Sequence, residues 1–402
     1  MPMKKLHYSE LWCSSPRYWG GLAALTFIIL LGMASAYYME HSGHWVTGMS
    51  NQVVWGLPHV FAIFLIVAAS GALNVASIGS VFGGPLYKPL GRFSGLLAIG
   101  LLAGGLVVLL LDLGRPERLI VAITHFNFKS IFAWNIILYT GFFTIVGIYL
   151  WAMIDRKAQK FYEATGFAAF FWRLALTTGT GSIFGFLVAR EAYDAAIMAP
   201  MFIIMSFSYG LAFFIITLMS AYWWSSRELG SHRLEKLKNL LGVFVGAVLY
   251  FSLVYHLTNL YITQHHGVER FILLDGGFYT VMFWLGQVTI GGIIPLFMLY
   301  SPAFSDNRFA IAIASVLVLI GGFVQIYIIV IAGQAYPMTL FPGKEVVSSS
   351  FYDGVVAAYS PSLAEGMLGL AGIAIAMTLV AVGARVLKVL PESLEDPGAD
   401  SA

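Results

Sequence analysis

The stretch FSGLLAIGLLAGGLVVLLL at positions 93–111 decides the fold, and Asp112-Leu113-Gly114-Arg115-Pro116-Glu117-Arg118 follows it directly. The first stretch contains only apolar or small residues and nearly crosses a hydrocarbon core, which takes about 20 helical residues. The second concentrates ionisable side chains at the membrane boundary. Because charges near a membrane are costly to bury, such a concentration marks a candidate site.

The composition of the chain is that of an integral membrane protein. Hydrophobic residues make up 59% of its 402 residues, charged residues 10%, and the mean hydropathy is +0.82. A soluble domain carries about 25% charged residues. These values exclude a soluble core protein. No basic tract is long enough to suggest nucleic acid as a partner.

Ten apolar segments are long enough to span a membrane as helices, which predicts an all-α integral membrane fold. The first is preceded by Lys4 and Lys5 but is a full span, so we interpret it as a retained helix and not as a signal peptide. The predicted spans are 18–39, 55–78, 93–111, 130–154, 166–189, 199–223, 241–262, 276–299, 309–332 and 366–388.

Basic residues in the loops predict the orientation of the spans. Fifteen Lys and Arg side chains fall in the tails and loops of one side, and six fall on the other side. Because cytoplasmic loops carry the excess of Lys and Arg, we expect both termini in the cytoplasm. We expect the membrane to be a bacterial inner membrane. The loop that begins at Asp112 then faces outward.

A weak internal repeat suggests two similar bundles. Pro58 opens span two and Pro200 opens span six, four spans later. Span four has Phe128 and Trp134 six residues apart, and span eight has Phe278 and Trp284 at the same spacing. The pattern predicts two four-helix bundles, spans two to five and six to nine, with peripheral first and last helices.

The repeat divides the chain into four predicted regions. Residues 1–54 hold the N-terminal tail and the first span, and residues 55–190 form the first bundle with the predicted site. Residues 191–332 form the second bundle. Residues 333–402 hold a long outer segment, the last span and a cytoplasmic tail. The segment from Gly333 to Glu365 either docks a partner or covers the bundle.

The Asp112 loop is chemically coherent as a proton-handling site. Gly114 permits a tight turn and Pro116 fixes the backbone beside it. Arg115 and Arg118 are expected to offset the loop carboxylates. A carboxylate at this depth could take a proton from a quinol or supply one to a quinone. The alternative is a salt-bridged structural turn that caps two helices.

His59 lies near the outward end of span two, four residues after Trp55. A membrane histidine usually faces the interior of the bundle, where it could bond a quinone carbonyl and exchange a proton near neutral pH. Trp55 would add an aromatic wall. The alternative is an interfacial histidine that bonds a neighbouring loop.

Other polar side chains are predicted at the same depth. Trp134 and Asn135 begin span four, and His256 and Asn259 share one face of span seven at a spacing of three. Aromatic residues at this level are also typical of an ordinary interfacial belt.

The sequence argues against a redox centre within the chain. Cys13 is the single cysteine, and an iron–sulfur cluster takes about four cysteine ligands. His59, His125 and His256 all approach one side of the membrane, and no helix carries two of them at two depths. We therefore expect no intrinsic haem, no iron–sulfur cluster and no metal site.

Span two, Asp112-Leu113-Gly114-Arg115-Pro116 and Phe128-Lys129-Ser130-Ile131-Phe132-Ala133-Trp134 together resemble the NrfD/polysulfide-reductase family of membrane subunits. The resemblance covers spans two to nine. It implies two cofactor-free bundles that exchange electrons between menaquinone or ubiquinone and an outward-facing, ferredoxin-like iron–sulfur subunit.

Tyr8-Ser9-Glu10-Leu11-Trp12 is most similar to the family members that accompany dissimilatory sulfite reductase. This likeness implies sulfur metabolism, with a multihaem cytochrome c and a cytochrome b as further partners. By motif position, the family resemblance places His59, Asp112 and Arg115 near a quinone pocket, and we expect Asp112 and His59 to be its catalytic pair. The residues expected to line that pocket are Trp55, His59, Asp112, Arg115, Trp134 and Asn135.

Two other classes of function fit parts of the sequence. A secondary transporter would have repeats and glycine-broken helices, but its coupling charges usually lie near the middle of the membrane. Here the charges cluster at one face. A structural anchor without a quinone site is the other alternative.

Overall fold

The computed structural model describes residues 7–11, 15–338 and 354–394. Helices dominate these residues, and ten of them are long. The long helices are α1 (Pro16–Ser42), α2 (Leu57–Ser80), α3 (Gly91–Leu111), α4 (Ile131–Ile154), α5 (Tyr162–Gly185), α6 (Met198–Trp224), α7 (Ser231–Tyr261), α8 (Phe278–Tyr300), α9 (Arg308–Ala335) and α10 (Leu363–Val386). They match the ten predicted spans in order. The predictions for Cys13 and for residues 339–353 of the outer segment lie outside the described residues.

Nine of these helices are long and apolar enough to cross a membrane within the described part of the chain. The exception is α5, which is less apolar because it carries Glu163, Arg173 and several threonines. At 24 residues it is nevertheless as long as α4, and it lies against α4 and α6. The all-α integral membrane fold is therefore confirmed.

Short elements connect the long helices. Three of the long helices depart from a regular α-helix: α2 is interrupted at Leu73, α8 is π-helical over Met282–Ile293, and α9 is π-helical over Ile328–Ala332. The short elements outside the long helices are the helical turns His44–Val46, Lys88–Leu90, Pro116–Arg118, Gln159–Phe161 and Thr263–His265, the short helices Leu119–Thr124 and His266–Arg270, the π-helical turn Phe271–Asp275, and the strands β1 (Tyr8–Ser9) and β2 (Leu390–Pro391).

Helix contacts define two groups that meet along α2 and α6. The helices α2 to α5 pack together, α6 to α9 pack together, and α10 lies between α1 and the α2–α3 pair. Gly71 of α2 and Gly210 of α6 allow the closest approach, because a β-carbon at either would collide with the partner's backbone. Small residues permit such crossings in membranes, where van der Waals contact drives association.

The first and the last described segments of the chain lie on one face of the molecule. Strand β1 pairs with β2 in antiparallel register, with Tyr8 opposite Pro391. Arg227, from the loop between α6 and α7, donates to Ser9 Oγ at 2.8 Å and to the Glu10 carbonyl at 2.7 Å. The loop between α6 and α7 therefore lies on the same face as β1 and β2. We call the opposite face the far face.

Candidate functional site

The Asp112 loop is a tight turn at the end of α3. The Asp112 N–H donates to the Val108 carbonyl at 3.1 Å and ends the helix. Gly114 has a φ of +70°, a conformation that side chains rarely adopt, and Pro116 starts the next helical turn. The predicted turn is confirmed. It directs the Asp112 side chain into the protein.

The Asp112 side chain contacts His59 of α2 in the protein interior, near the far face. His59 Nδ1 lies 2.6 Å from Asp112 Oδ2, and the carboxylate is fully buried while 16% of the imidazole is exposed. The two groups are close but not aligned for a hydrogen bond. Consequently His59 Nδ1 and both carboxylate oxygens lack a hydrogen-bond partner among the described residues. Buried polar atoms without hydrogen-bond partners reduce the free energy of unfolding. A polar ligand or water that bonds them would remove this cost, so the pair is suited to bind one.

Trp55 forms an aromatic wall beside the pair. Its ring stacks on the His59 ring, with centroids 6.4 Å apart and planes at 25°. Phe132 of α4 and Phe184 of α5 contact the other sides of Trp55, with centroids 5.8 and 5.9 Å away. The predicted aromatic wall is present. The two phenylalanines were not predicted, since aromatic residues are too common in this chain to stand out.

Gln334 at the end of α9 holds the backbone that carries Trp55. Its Oε1 accepts from the N–H groups of Val54 and Trp55, both at 3.0 Å, and its Nε2 donates to the Trp55 carbonyl at 3.0 Å. Arg190 donates to the Gln334 and Gln52 carbonyls, both at 2.8 Å. The second helix group therefore positions a residue of the first.

Glu365 and Tyr359 hold the same segment from the C-terminal side. The buried Glu365 carboxylate accepts from the Gly48 N–H at 2.8 Å and from the Tyr359 hydroxyl at 2.7 Å. The Tyr359 hydroxyl accepts from the Leu57 N–H at 2.6 Å. Burial and the Glu365 carboxylate raise the pKa of Tyr359, so its hydroxyl stays protonated and keeps donating.

Sequence reasoning missed these supporting residues, although one carried a signal. Ser362-Leu363-Ala364-Glu365 precedes an apolar run and has the spacing of a capping box, which the structure forms. Gln334 carries no comparable local signal, because its partners are about 280 residues away in the chain.

Asn135 and Trp134 occupy different environments at the start of α4. Asn135 is buried, and its Nδ2 donates to the Ile131 carbonyl at 3.0 Å, while its Oδ1 lacks a partner among the described residues. Trp134 is 46% exposed and donates to the Phe128 carbonyl at 2.7 Å. The ring next to His59 is Trp55, so the structure does not bring Trp134 into that wall. A role for Trp134 in quinone binding stays a prediction.

The arginines of the Asp112 loop do not lie against its buried carboxylate. Arg115 and Arg118 are exposed, as is Glu117. Over residues 15–338, no ion pair joins Arg115 to Asp112; the pairing partner is His59. The expectation that Arg115 and Arg118 offset Asp112 is wrong, because the turn directs Asp112 inward and leaves the arginines at the surface.

A buried arginine escaped the sequence analysis. Arg173 in the middle of α5 is 1% exposed and donates to Asn74 Oδ1 of α2 at 3.0 Å. Its guanidinium lies over the rings of Phe170 and Phe207, at 5.0 and 5.1 Å. The count of loop residues passed over Arg173, because it belongs to neither side of the membrane.

A second buried pair lies in the other helix group. His256 and Asn259 of α7 share one face, as predicted, and both bond the Glu269 carboxylate, at 2.7 and 2.9 Å. Glu269 comes from the short helix His266–Arg270. No group of three or more His, Cys, Asp or Glu side chains able to hold a metal occurs in the described part of the chain.

The fold and the site define an all-α integral membrane protein with a buried histidine–carboxylate pair near one face. The family described as "Polysulphide reductase, NrfD" matches residues 45–338, so the chain belongs to this family. The predicted family is confirmed.

Several known proteins are similar over nearly the whole chain. The "Hdr-like menaquinol oxidoreductase integral membrane subunit" of Archaeoglobus fulgidus is 28% identical over 96% of this chain and 97% of its own length. A selenate reductase subunit of Mesobacillus selenatarsenatis is 24% identical over 89% of this chain and 92% of its own length. The "Menaquinone reductase, integral membrane subunit" of Nitratidesulfovibrio vulgaris is 20% identical over 95% and 94%.

Proposed function

We propose that this chain is the quinone-reactive membrane subunit of a multi-subunit oxidoreductase. Two similar proteins are named for menaquinol oxidation and menaquinone reduction, and another for selenate reduction. The observation that carries the proposal is the His59–Asp112 pair, which lies beside the Trp55 ring. The buried polar atoms of this pair lack hydrogen-bond partners among the described residues.

The pair has the chemistry that a quinone head group requires. A quinol losing two electrons also releases two protons, and a quinone gaining two electrons takes two up. Asp112 accepts a hydrogen bond and then a proton from a quinol hydroxyl, and His59 exchanges a proton with the partly exposed surroundings. In the reverse direction the same two groups donate. An iron–sulfur cluster on a partner subunit would supply or take up the electrons.

The proposed pocket includes four more residues, which are Trp55, Asn135, Arg115 and Trp134. Trp55 offers a flat apolar face against a quinone ring, and Asn135 has an unpaired buried oxygen in the described structure that could accept from a quinol hydroxyl. Arg115 is exposed on the turn, where it would face a partner or the membrane surface. Trp134 would line the path from the lipid.

We further propose that both termini face the cytoplasm and that the far face meets the redox partner. The face that holds β1 and β2 also carries Arg227, Arg308 and most other loop basic residues, as expected of a cytoplasmic side. The proposed units are 1–54, 55–190, 191–332 and 333–402. Their support is the separate packing of α2–α5 and α6–α9.

The proposed setting is an inner-membrane complex of sulfur metabolism. Its partners would be a ferredoxin-like iron–sulfur subunit on the outer face, a multihaem cytochrome c and a cytochrome b. The support is the likeness of the N-terminal motif to subunits that accompany dissimilatory sulfite reductase. We propose that the cluster belongs to a partner, because the single cysteine of this chain cannot supply the ligands of an iron–sulfur cluster.

Replacing Asp112 by Asn in the assembled complex tests the assignment. Asn keeps the size of the side chain but cannot carry the proton, so quinol-linked turnover should fall by about 100-fold or more. Glu117→Gln, in the same loop but exposed, is the matched control and should keep full turnover. Unchanged turnover of the Asp112 variant in an intact complex would remove Asp112 from the mechanism.

Purifying the native complex distinguishes this proposal from the transporter and the structural anchor. A quinone-reactive subunit should co-purify with quinone and with an iron–sulfur subunit. A transporter should contain neither, and an anchor should retain the iron–sulfur subunit without quinone.

A further inference from the structure

The second helix group contains a polar cluster that the proposed quinone chemistry does not use. His256 Nδ1 lies 2.7 Å from Glu269 Oε2, and Asn259 Nδ2 donates to Glu269 Oε1 at 2.9 Å. The Glu269 side chain is fully buried, and 12% of the His256 side chain is exposed. His265 ends the helical turn Thr263–His265, which follows α7, and its Nδ1 is 3.1 Å from Asn259 Oδ1. The cluster therefore extends from the far face toward the helices.

A cavity continues from this cluster into the helix group. His256 and Ser252 of α7 line it, together with Gln287 of α8 and Gln325 of α9. Ser252 Oγ accepts from Gln325 Nε2 at 3.1 Å and from Gln287 Nε2 at 3.3 Å. Because three helices contribute these polar groups, the cavity lies between α7, α8 and α9.

A second cavity lies beyond the first. Gln287 and Gln325 line both cavities, and the second also reaches Tyr209 of α6. The Tyr209 hydroxyl donates to Gln325 Oε1 at 2.6 Å. The π-helical stretch Met282–Ile293 supplies Gln287, Gly291 and Gly292 to the lining. Such π-helical segments are frequent at functional sites.

The size and the polar lining of the two cavities suit water as their ligand. The cavities leave about 30 and 20 Å³ for the centres of water molecules. Because a single water centre already fits wherever such space exists, each cavity has room for at least one buried water. The cavities therefore fit water, which the lining amides and hydroxyls can bond.

We infer that the second helix group carries a water-filled proton-binding site in which His256 and Glu269 hold the proton and cavity water exchanges it. Glu269 occupies His256 Nδ1, which leaves Nε2 as the ring nitrogen that accepts a proton. A hydronium ion in the cavity gives its proton to Nε2 and becomes water. The result is an imidazolium–carboxylate pair, and the reverse step returns the proton to water.

The titratable neighbours that contact this cluster are Tyr255 and His265. The Tyr255 ring meets the His256 ring edge-on at 5.0 Å, and its hydroxyl donates to the Ala192 carbonyl at 3.0 Å. His265 contacts Asn259, not the carboxylate. The Glu269 carboxylate and the His256 imidazole are thus in direct contact with each other. The negative charge of Glu269 offsets the positive charge that a proton adds to His256. The site exchanges protons without quinone, so it stands apart from the proposed function.

Hydroxyl-radical footprinting of the complex in lipid nanodiscs tests the hydration. Met198 and Met201 of α6 line the first cavity, whereas Met205 on the same helix lines neither cavity. All three side chains are 2% exposed or less. Water in the cavity should therefore make Met198 and Met201 oxidise several-fold faster than Met205. Equal rates for the three methionines would overturn the inference.

Infrared difference spectra between acidic and alkaline buffer test the proton. The wild-type complex should show an imidazole signal together with a shifted carboxylate band. Both should be lost in Glu269→Gln and in His256→Gln, and both should persist in the exposed control Glu117→Gln. Bands that survive in the Glu269 and His256 variants would refute the site. If those variants fail to assemble, the footprinting of the unaltered complex still decides. Neither experiment includes quinone, so a failed quinone assignment would leave both results readable.

Discussion

The two helix groups each bury a histidine–carboxylate pair near the far face, and the pairs differ in how completely they are bonded. The separations are nearly equal, 2.6 Å for His59–Asp112 and 2.7 Å for His256–Glu269. Both oxygens of Glu269 have hydrogen-bond partners, but neither oxygen of Asp112 has one among the described residues. The complete pair belongs to the fold and can exchange protons with water. The incomplete pair is suited to a ligand.

The comparison predicts that stability depends on one pair and turnover on the other. The largest expected effect is on folding, from Glu269→Ala, which would leave His256 and Asn259 without their acceptor. Breaking a buried pair of this kind costs about 3–5 kcal/mol of unfolding free energy. The melting temperature of the complex should fall clearly, while the KM for quinol stays unchanged.

The exposed residue Glu117 provides the control for that experiment. Its replacement by Ala should leave the melting temperature within the small range typical of surface substitutions. A Glu269→Ala complex that melts like the unaltered complex would show that the second pair contributes little to the fold.

The next effect concerns the incomplete pair. His59→Gln removes the proton-exchanging ring but keeps a polar side chain, so quinol-linked turnover should fall by about 100-fold. The melting temperature should fall less than in the Glu269→Ala complex, because Gln keeps a polar group beside Asp112 and His59 Nδ1 makes no hydrogen bond within the described residues. His232→Gln, at the start of α7 and partly exposed, is the control and should retain turnover. A large loss of stability in the His59 variant would erase the distinction between the two pairs.

The smallest effect concerns the positioning of Trp55. Gln334→Ala removes three hydrogen bonds to the Val54–Trp55 backbone, so the aromatic wall should lose its fixed position. The KM for quinol should rise by about 10-fold, with a smaller change in kcat, as expected when positioning and not chemistry is impaired. The exposed Gln264→Ala variant is the control. A fall in kcat alone, at constant KM, would assign Gln334 another role.

Sequence patterns anticipated the local features of the site. The Asp112-Leu113-Gly114-Arg115-Pro116 stretch predicted a tight turn, and the structure has Gly114 at a positive φ. The spacing of His256 and Asn259 predicted a shared helix face, and both bond Glu269. These features depend on residues a few positions apart, and helical periodicity or turn chemistry is enough to predict them.

The partners of those residues could not be predicted in the same way. Asp112 pairs with His59, 53 positions earlier, and not with the nearby Arg115. Gln334 bonds Trp55 from the other helix group. Such contacts depend on which way the turn points and on how the helices cross, and neither is encoded in local spacing.

The sequence by itself determined the all-α membrane fold, because ten apolar segments can satisfy their backbone polar groups in a bilayer only as helices. It also determined which residues stand near one face. The tertiary structure alone decided which carboxylate is buried, which histidine it meets and which pair lacks hydrogen-bond partners among the described residues. Packing brings together side chains from distant helices, and only that proximity separates a bonded structural pair from one available to a ligand.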